Sequence, residues 1–114
     1  MSIQLYLYKK NFEVQKAERY LKERKITYQM VDLKKHRLGR REIELFAQAK
    51  GVKSIINFED EKVKSHPIAY TFDSGAMIDY LLEKPEFLIS PIIRMGQKIL
   101  IGFNEEDLNG LING

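Results

Sequence analysis

Cysteine is absent from the chain of 114 residues, and so is tryptophan. Without a thiol the chain can form no disulfide and has no cysteine nucleophile, because the thiolate is the reactive species in both cases. Glycine and proline are sparse too, with seven and three residues, and no segment is rich in them. We therefore exclude cysteine chemistry and predict one domain over residues 1–114, with no linker inside it.

Long hydrophobic runs are also missing. No stretch approaches the roughly 18 consecutive apolar residues of a membrane span. The N-terminal segment Met1–Tyr6 lacks the basic region and apolar run of a signal peptide. Hydrophobic residues make up 44% of the chain and charged residues 31%, which is typical of a globular protein. From these features together we expect a cytoplasmic protein.

The net charge of +3 is too small to indicate nucleic-acid binding by itself. Its distribution is uneven, because a basic cluster lies within eight residues: Lys34, Lys35, His36, Arg37, Arg40 and Arg41. Such runs are usually a solvated turn. Arg40 and Arg41 fall at a predicted helix start, where the helix dipole disfavours positive charge, and a cost of that kind can mark a partner-binding surface.

The first third of the chain predicts a parallel strand–helix–strand unit. Ile3–Tyr8 is apolar and aromatic and is typical of a buried strand. Asn11 is a good N-cap for a helix over Phe12–Arg24, in which apolar residues recur at helical spacing. Ile26–Asp32 predicts the second strand. Tyr6, Tyr8, Tyr20 and Tyr28 fit core or core-edge positions of these elements.

The rest of the chain predicts helices followed by a hairpin and a last helix. One helix starts near Gly39, with Glu42 at the capping-box position, and ends at Gly51. Asp73 or Ser74 caps another helix, which Pro85 stops. Ile55, Ile56, Pro67 and Ile68 are expected to anchor the segment between them.

Near the C-terminus, Ile89–Arg94 and Lys98–Phe103 predict two strands around the three-residue loop Met95–Gln97. Asn104 is expected to cap the last helix. The order of elements is βαβ, helices, ββα. This order predicts an α/β fold with a mixed four-stranded sheet and a helical insertion over roughly residues 39–85.

Four segments in the same order carry a family resemblance. They are Tyr6–Ala17, the Gly51 to Ile56 run, Glu83–Ile93 and Ile101–Glu106. They resemble the arsenate-reductase-like ArsC/Spx proteins, in which a strand runs into Cys-x-x-Cys-x-Lys-Ala and a Pro-Ile pair follows a conserved arginine. The tail looks closest to Spx. The resemblance implies a thioredoxin-like fold, with Pro91 in the cis form at the N-terminus of the first helix.

The departures from the family pattern imply a lost active site. With Lys16 and Ala17 aligned, Asn11 stands at the nucleophilic cysteine and Val14 at the second cysteine. Ser90 replaces the arginine that resembles an oxyanion ligand. An amide is neither ionisable nor nucleophilic, and no base is expected beside Lys10. We therefore predict no catalytic residues and no thiol-dependent reductase activity.

The leading hypothesis is a non-catalytic, regulatory protein-interaction module. By resemblance to Spx, the RNA polymerase α subunit is a candidate partner at Gly51, and the basic residues Lys34, Lys35, Arg37, Arg40 and Arg41 are further partner-binding candidates.

Two alternatives stay open. The first is a small-anion or glutathione-type ligand site at the helix N-terminus, made of Lys10, Asn11, Phe12, Ser90 and Pro91. The second is weak nucleic-acid binding through Lys34–Arg41, which we rank last because no aromatic residue interleaves with the basic ones. His36 and His66 are distant from each other and predict no metal site, and we expect no cofactor.

Overall fold

The computed structural model describes residues 2–114, in which four strands form one mixed sheet. The strands are β1 (Ile3–Leu7), β2 (Tyr28–Asp32), β3 (Ile92–Met95) and β4 (Lys98–Ile101). Their order is β2-β1-β3-β4; β1 and β2 are parallel, and the other two pairs are antiparallel. The predicted βαβ unit and C-terminal hairpin are confirmed.

Helices surround this sheet and fill the connection between β2 and β3. The α-helices are α1 (Phe12–Glu23), α2 (Arg40–Lys50), α3 (Glu61–Lys64), α4 (Ser74–Glu83) and α5 (Glu105–Asn113). Short 3₁₀ turns cover Val52–Ile55, Pro67–Tyr70 and Pro85–Phe87. Helices α2 to α4 lie between β2 and β3, which confirms the predicted helical insertion.

The helix ends follow local signals in the sequence. The Asn11 side-chain oxygen accepts a hydrogen bond from the backbone N–H of Val14 at 2.8 Å, and Asn104 caps α5 in the same way. The backbone N–H of Gly39 donates to the Glu42 carboxylate at 3.1 Å. At the end of α2, Gly51 has φ 89°, a backbone conformation that other residues rarely adopt.

Each face of the sheet covers its own hydrophobic core. Neighbouring residues on β1 point to opposite faces, so Leu5 and its β3 partner Ile93 face α1 and α5, whereas Tyr6 and its partner Ile92 face α2 and α4. The first core includes Val14, Ala17, Leu21 and Leu108, and the second includes Ile43, Phe46, Ile68 and Leu81. Burial of these side chains is the main stabilising contribution to the fold.

The segment between α2 and α4 is anchored largely as predicted. Ile55, Ile56 and Ile68 are buried in the core beside α2. Ile56 also forms a single antiparallel bridge with Leu88, which ties the insertion to the chain just before β3. Pro67 remains exposed and begins a 3₁₀ turn.

The predicted strand boundaries were wrong where apolar residues continue past the hydrogen-bonded pairing. Strand β2 begins at Tyr28 instead of Ile26, because pairing with β1 starts at Tyr28 and Ile3. Lys25, with φ 57°, turns the chain just before the strand. Strand β3 begins at Ile92 instead of Ile89, because Pro91 offers no N–H to the ladder.

The C-terminal hairpin also differs from the prediction. Met95 pairs directly with Lys98, so the loop has two residues instead of three. Gly96 supplies the positive φ of 64° that a tight hairpin turn requires. Strand β4 ends at Ile101 instead of Phe103, since Gly102, with φ 74°, redirects the chain toward α5.

Candidate functional site

The loop from β1 to α1 meets the loop before β3 at one edge of the sheet. The backbone N–H of Tyr8 donates to the Ser90 hydroxyl at 3.0 Å, and the Asn11 side-chain NH₂ donates to the Ser90 carbonyl at 2.8 Å. The Ser90–Pro91 peptide bond is cis, as the resemblance implied. The structure therefore brings together the predicted residues Asn11, Ser90 and Pro91. We call this contact the β1–β3 junction.

Asn11 acts as a crosslink in this junction. Its side-chain oxygen caps α1 at Val14, and its nitrogen bonds to Ser90, so both polar atoms of the amide have partners within the protein. A neutral amide cannot ionise at any physiological pH. The position therefore supplies neither a nucleophile nor a proton, and it fixes the geometry of the helix start instead.

Val14, at the predicted second cysteine position, is a core residue. Its side chain is fully buried between α1 and the sheet. Ser90 is also buried, and its hydroxyl oxygen is occupied by Tyr8. Both side chains therefore contribute to the packing of the junction.

Lys10 is not free of acidic partners, which corrects the expectation from the sequence. Its ammonium lies 3.3 Å from the carboxylate of Glu18, a buried residue two turns along α1. The same carboxylate lies 3.9 Å from Lys22 and accepts a hydrogen bond from the Tyr28 hydroxyl at 2.9 Å. The Lys10 ammonium thus lies beside Glu18, in the second turn of α1.

The environment of Tyr28, including its hydrogen bond to Glu18, changes the pKa of the Tyr28 hydroxyl. Burial raises the pKa of the Tyr28 hydroxyl, and the hydrogen bond to Glu18 raises it further, to about 12. A phenolate beside a carboxylate would place two negative charges together, so the neutral form is favoured. This pair could not be predicted from the sequence, because residues 18 and 28 belong to different elements.

Two aromatic rings flank the loop at the junction, and each contacts a lysine. Phe12, the first residue of α1, is 69% exposed, and the Lys16 ammonium lies 4.6 Å from its ring centre. Tyr8 is partly buried, and the Lys34 ammonium lies 5.6 Å from its ring centre. Both distances fall within the range of cation–π interactions.

A groove of about 870 Å³ opens at the other end of the sheet. Its lining combines α2, the residues around Gly51 and the β3–β4 turn, and includes Arg41, Glu42, Gly51 and Arg94. Arg94 pairs with Gln4 near the start of β1, so this groove is separated from the junction by the length of the strand. We call it the α2 groove.

A buried tyrosine, Tyr6, contacts a residue of the α2 groove. The Tyr6 hydroxyl donates to the Glu42 carboxylate at 3.4 Å. Burial raises the pKa of Tyr6, while hydrogen bonding with Arg94 acts in the opposite direction. Sequence reasoning missed Arg94, because only the register of β3 against β1 places it beside α2.

The predicted basic cluster divides into separate groups. Arg40 lies 3.5 Å from the Glu44 carboxylate and also pairs with Asp79 of α4, whose hydrogen bond raises the pKa of Arg40. These partners offset the unfavourable position of Arg40 at a helix start. Arg41 faces the α2 groove. Lys34, Lys35 and Arg37 lie before the helix and do not join either group.

The His66 side chain has structural contacts. The His66 ring nitrogen Nδ1 accepts a hydrogen bond from the N–H of Ile68 at 3.1 Å, and its ring packs edge-on against Tyr80 and Phe87. Across residues 2–114, no three side chains of histidine, aspartate or glutamate come together in a way that could hold a metal ion.

No helix within residues 2–114 is both long and apolar enough to cross a bilayer.

The sheet order, the cis proline and the helix that starts beside it define a thioredoxin-like protein. The sequence pattern of the ArsC family matches residues 6–111. The chain therefore belongs to the ArsC family. No match is found among curated proteins.

Solved structures of similar proteins agree with this fold. The protein YFFB is 21% identical, with a TM-score of 0.87 over 95% of this chain and 96% of its own. An ArsC-family-related protein from Bacteroides fragilis is 21% identical, with a TM-score of 0.83 over 97% and 99% of the two chains. Arsenate reductase from Vibrio cholerae is 18% identical, with a TM-score of 0.84 over 96% and 97%.

Proposed function

We propose that this ArsC-family chain is a non-catalytic, regulatory protein-interaction module. The observation that carries the proposal is the β1–β3 junction, in which Asn11 uses both polar atoms on Val14 and Ser90. A site that transfers electrons through sulfur needs a thiol, and the chain has none. The proposal is that the fold is retained while the reactive thiol is replaced by the Asn11 amide, which links α1 to the loop before β3.

The surface that best suits a protein partner is the α2 groove. It combines apolar side chains such as Leu45 and Val52 with the cations Arg41 and Arg94. Within residues 2–114 neither arginine forms a salt bridge. Arginine beside apolar surface is a composition typical of protein interfaces. Gly51, a candidate from the sequence, lies on the same surface.

The partner that we propose for the α2 groove is the RNA polymerase α subunit. This choice rests on the resemblance of the tail and of the Gly51–Ile56 region to Spx. A polymerase partner would also place the protein in the cytoplasm. Arg41 and Arg94 favour a partner surface with exposed carboxylates, since a guanidinium group without a carboxylate partner can bind one in a bidentate manner.

Binding of the purified α subunit tests this proposal by isothermal titration. We expect Arg41→Glu to weaken binding by roughly tenfold or more, because it reverses a charge at the interface. Lys98→Glu is the matched control, since Lys98 is an exposed cation on β4 outside the α2 groove. Absence of binding by the unaltered chain, or equal losses in both variants, would exclude the α subunit at this surface.

A turnover assay tests the non-catalytic part separately. The chain is incubated with arsenate, glutathione and glutaredoxin, and arsenite is measured. We expect no arsenite above the reaction without the chain, because no residue at the junction can form a sulfur–arsenic bond. Arsenite formation that depends on the chain would refute this part of the proposal.

A further inference from the structure

A second surface, distinct from the α2 groove, lies where β1 and β2 end. The two strands are parallel, so their following loops leave the sheet at the same edge. The N–H of Leu33 donates to the carbonyl of Leu7 at 2.8 Å, which holds the loops side by side. We call this surface the aromatic-basic face; its members are Tyr8, Lys9, Phe12, Lys16, Lys34, Lys35 and Arg37.

The cations of the aromatic-basic face lack acidic partners. Its four lysines and Arg37 are exposed, and within residues 2–114 none forms a salt bridge. The nearby carboxylates bond to the backbone instead. Asp32 accepts from the N–H of Lys34 at 3.0 Å, and Glu13 accepts from the N–H of Phe103 at 3.0 Å. The five cations outnumber these two carboxylates, so the face carries a net positive charge.

Aromatic rings lie among these cations in space, although they do not in the sequence. Lys34 contacts the ring of Tyr8, and Lys16 contacts the ring of Phe12. Phe12 is four positions after Tyr8 in the chain, so the two rings are attached at backbone positions no more than about 14 Å apart. The basic run Lys34–Arg41 contains no aromatic residue in the sequence. The fold brings the ring of Tyr8 beside Lys34, and the ring of Phe12 lies beside Lys16.

We infer that the aromatic-basic face binds single-stranded nucleic acid. Proteins that bind single strands combine a positively charged path for the phosphates with aromatic side chains on which bases stack. Phe12 is largely exposed, and the lysine beside it is a flexible side chain in a weak surface contact, so a base can take its place on the ring. Paired bases are already stacked on each other, so a duplex offers no base to these rings.

Fluorescence anisotropy with a labelled thymidine or uridine strand of about 12 nucleotides tests this inference. We expect saturable binding at low salt, weaker binding to a duplex of the same length, and none to labelled polyglutamate. Binding of polyglutamate as tight as that of the single strand would assign the face to acidic protein instead. No anisotropy change with any single strand at low salt would overturn the inference.

Matched variants separate stacking from charge. Phe12→Ala is expected to weaken binding roughly tenfold, in line with the loss of one stacked base. Phe72→Ala is its control, since Phe72 is also exposed and also contacts a lysine, Lys53, at 5.9 Å. Equal effects of the two variants would overturn the assignment of this face.

The salt dependence measures the phosphate contacts. For a single strand the slope of log K against log salt is about −0.7 for each contact. Lys34→Ala is expected to reduce the magnitude of the slope by about 0.7, whereas Lys98→Ala should leave it unchanged. A slope that is the same in the Lys34 variant and in the unaltered chain would overturn the role of Lys34. These readouts are independent of α-subunit binding, so either proposal can fail alone.

Discussion

At the C-terminal end of β1 the polar side chains bond to the backbone of the same chain, whereas at the opposite end two arginines face an open groove. In the β1–β3 junction, Asn11 and Ser90 direct their polar atoms at backbone groups. In the α2 groove, Arg41 and Arg94 have no carboxylate partner among residues 2–114. Polar groups that are satisfied within the chain contribute to stability, and cations without a carboxylate partner are available for ion pairing with a binding partner.

The comparison predicts that substitutions at the two ends have different effects. Changes in the junction should lower the free energy of unfolding, since they leave polar groups of the backbone without partners. A change at Arg41, the exposed arginine of the groove, should leave the free energy of unfolding nearly unchanged. Four experiments, ordered from the largest expected effect, can break or sharpen this contrast.

Asn11→Ala should have the largest effect and lower the free energy of unfolding by about 2 kcal/mol. Loss of the N-cap accounts for about 1 kcal/mol, and the Ser90 carbonyl, left without its donor, accounts for about another. Urea unfolding measures the change. Asn11→Asp keeps the capping oxygen and places a carboxylate oxygen opposite the Ser90 carbonyl; its negative charge is favourable at the helix start, so we expect it to be less destabilising than Asn11→Ala. Identical stabilities of Asn11→Ala and the unaltered chain would refute the crosslink.

Gly51→Ala should lower the free energy of unfolding by about 1–2 kcal/mol, because a Cβ strains a backbone at φ 89°. This is the one position beside the groove where we expect a cost to stability. The control is Gly110→Ala in α5, where a Cβ would meet no atom within 4 Å and helix propensity favours alanine by about 1 kcal/mol. Thermal unfolding should shift in opposite directions for the two variants. A common direction would contradict the argument.

Tyr28→Phe tests the charge network on the junction side of α1. The pKa of Tyr28 is raised from 10.0 to about 12 in the folded chain, first by burial and then by Glu18. Because the folded chain holds the Tyr28 proton more tightly than the unfolded chain does, the neutral hydroxyl stabilises the fold below pH 10. This contribution is lost as the pH rises through about 12. The unaltered chain should therefore lose more stability than Tyr28→Phe between these pH values. Parallel pH profiles in urea unfolding would refute the shift.

Arg41→Ala should have the smallest effect, within about 0.5 kcal/mol of the unaltered chain, since an exposed residue without an internal partner contributes little to the fold. Urea unfolding measures this as well. A loss as large as that of Asn11→Ala would show that the groove is also part of the stabilising structure, and the contrast between the two ends would fail.

Local signals made the helices predictable from the sequence. Asn11 and Asn104 were each expected to cap a helix, and Asp73 or Ser74 another; the side chains of Asn11, Asp73 and Asn104 each accept from the first turn of their helix. A cap depends on a residue and the three that follow it, so the sequence contains the whole interaction. The cis form of Pro91 was predictable only from the resemblance to the family.

Strand ends and surface contacts could not be predicted in this way. Ile26 and Ile89 are apolar residues that suit a strand, but the partner strand decides where pairing begins. The pairs Lys10–Glu18 and Arg40–Asp79 join groups whose approach depends on side-chain direction or on the packing of α2 against α4. The contact of Lys34 with Tyr8 depends on two loops meeting at one sheet edge.

The amide at position 11 has a consequence for how the protein responds to oxidants. Peroxide or an oxidising thiol couple can convert a cysteine at a helix start into a sulfenic acid or a disulfide and so change the loop around it. Asn11 has no such chemistry, and its bond to the Ser90 carbonyl is the same under oxidising and reducing conditions. The junction should thus keep one conformation in an oxidant burst that would alter a relative bearing cysteine there.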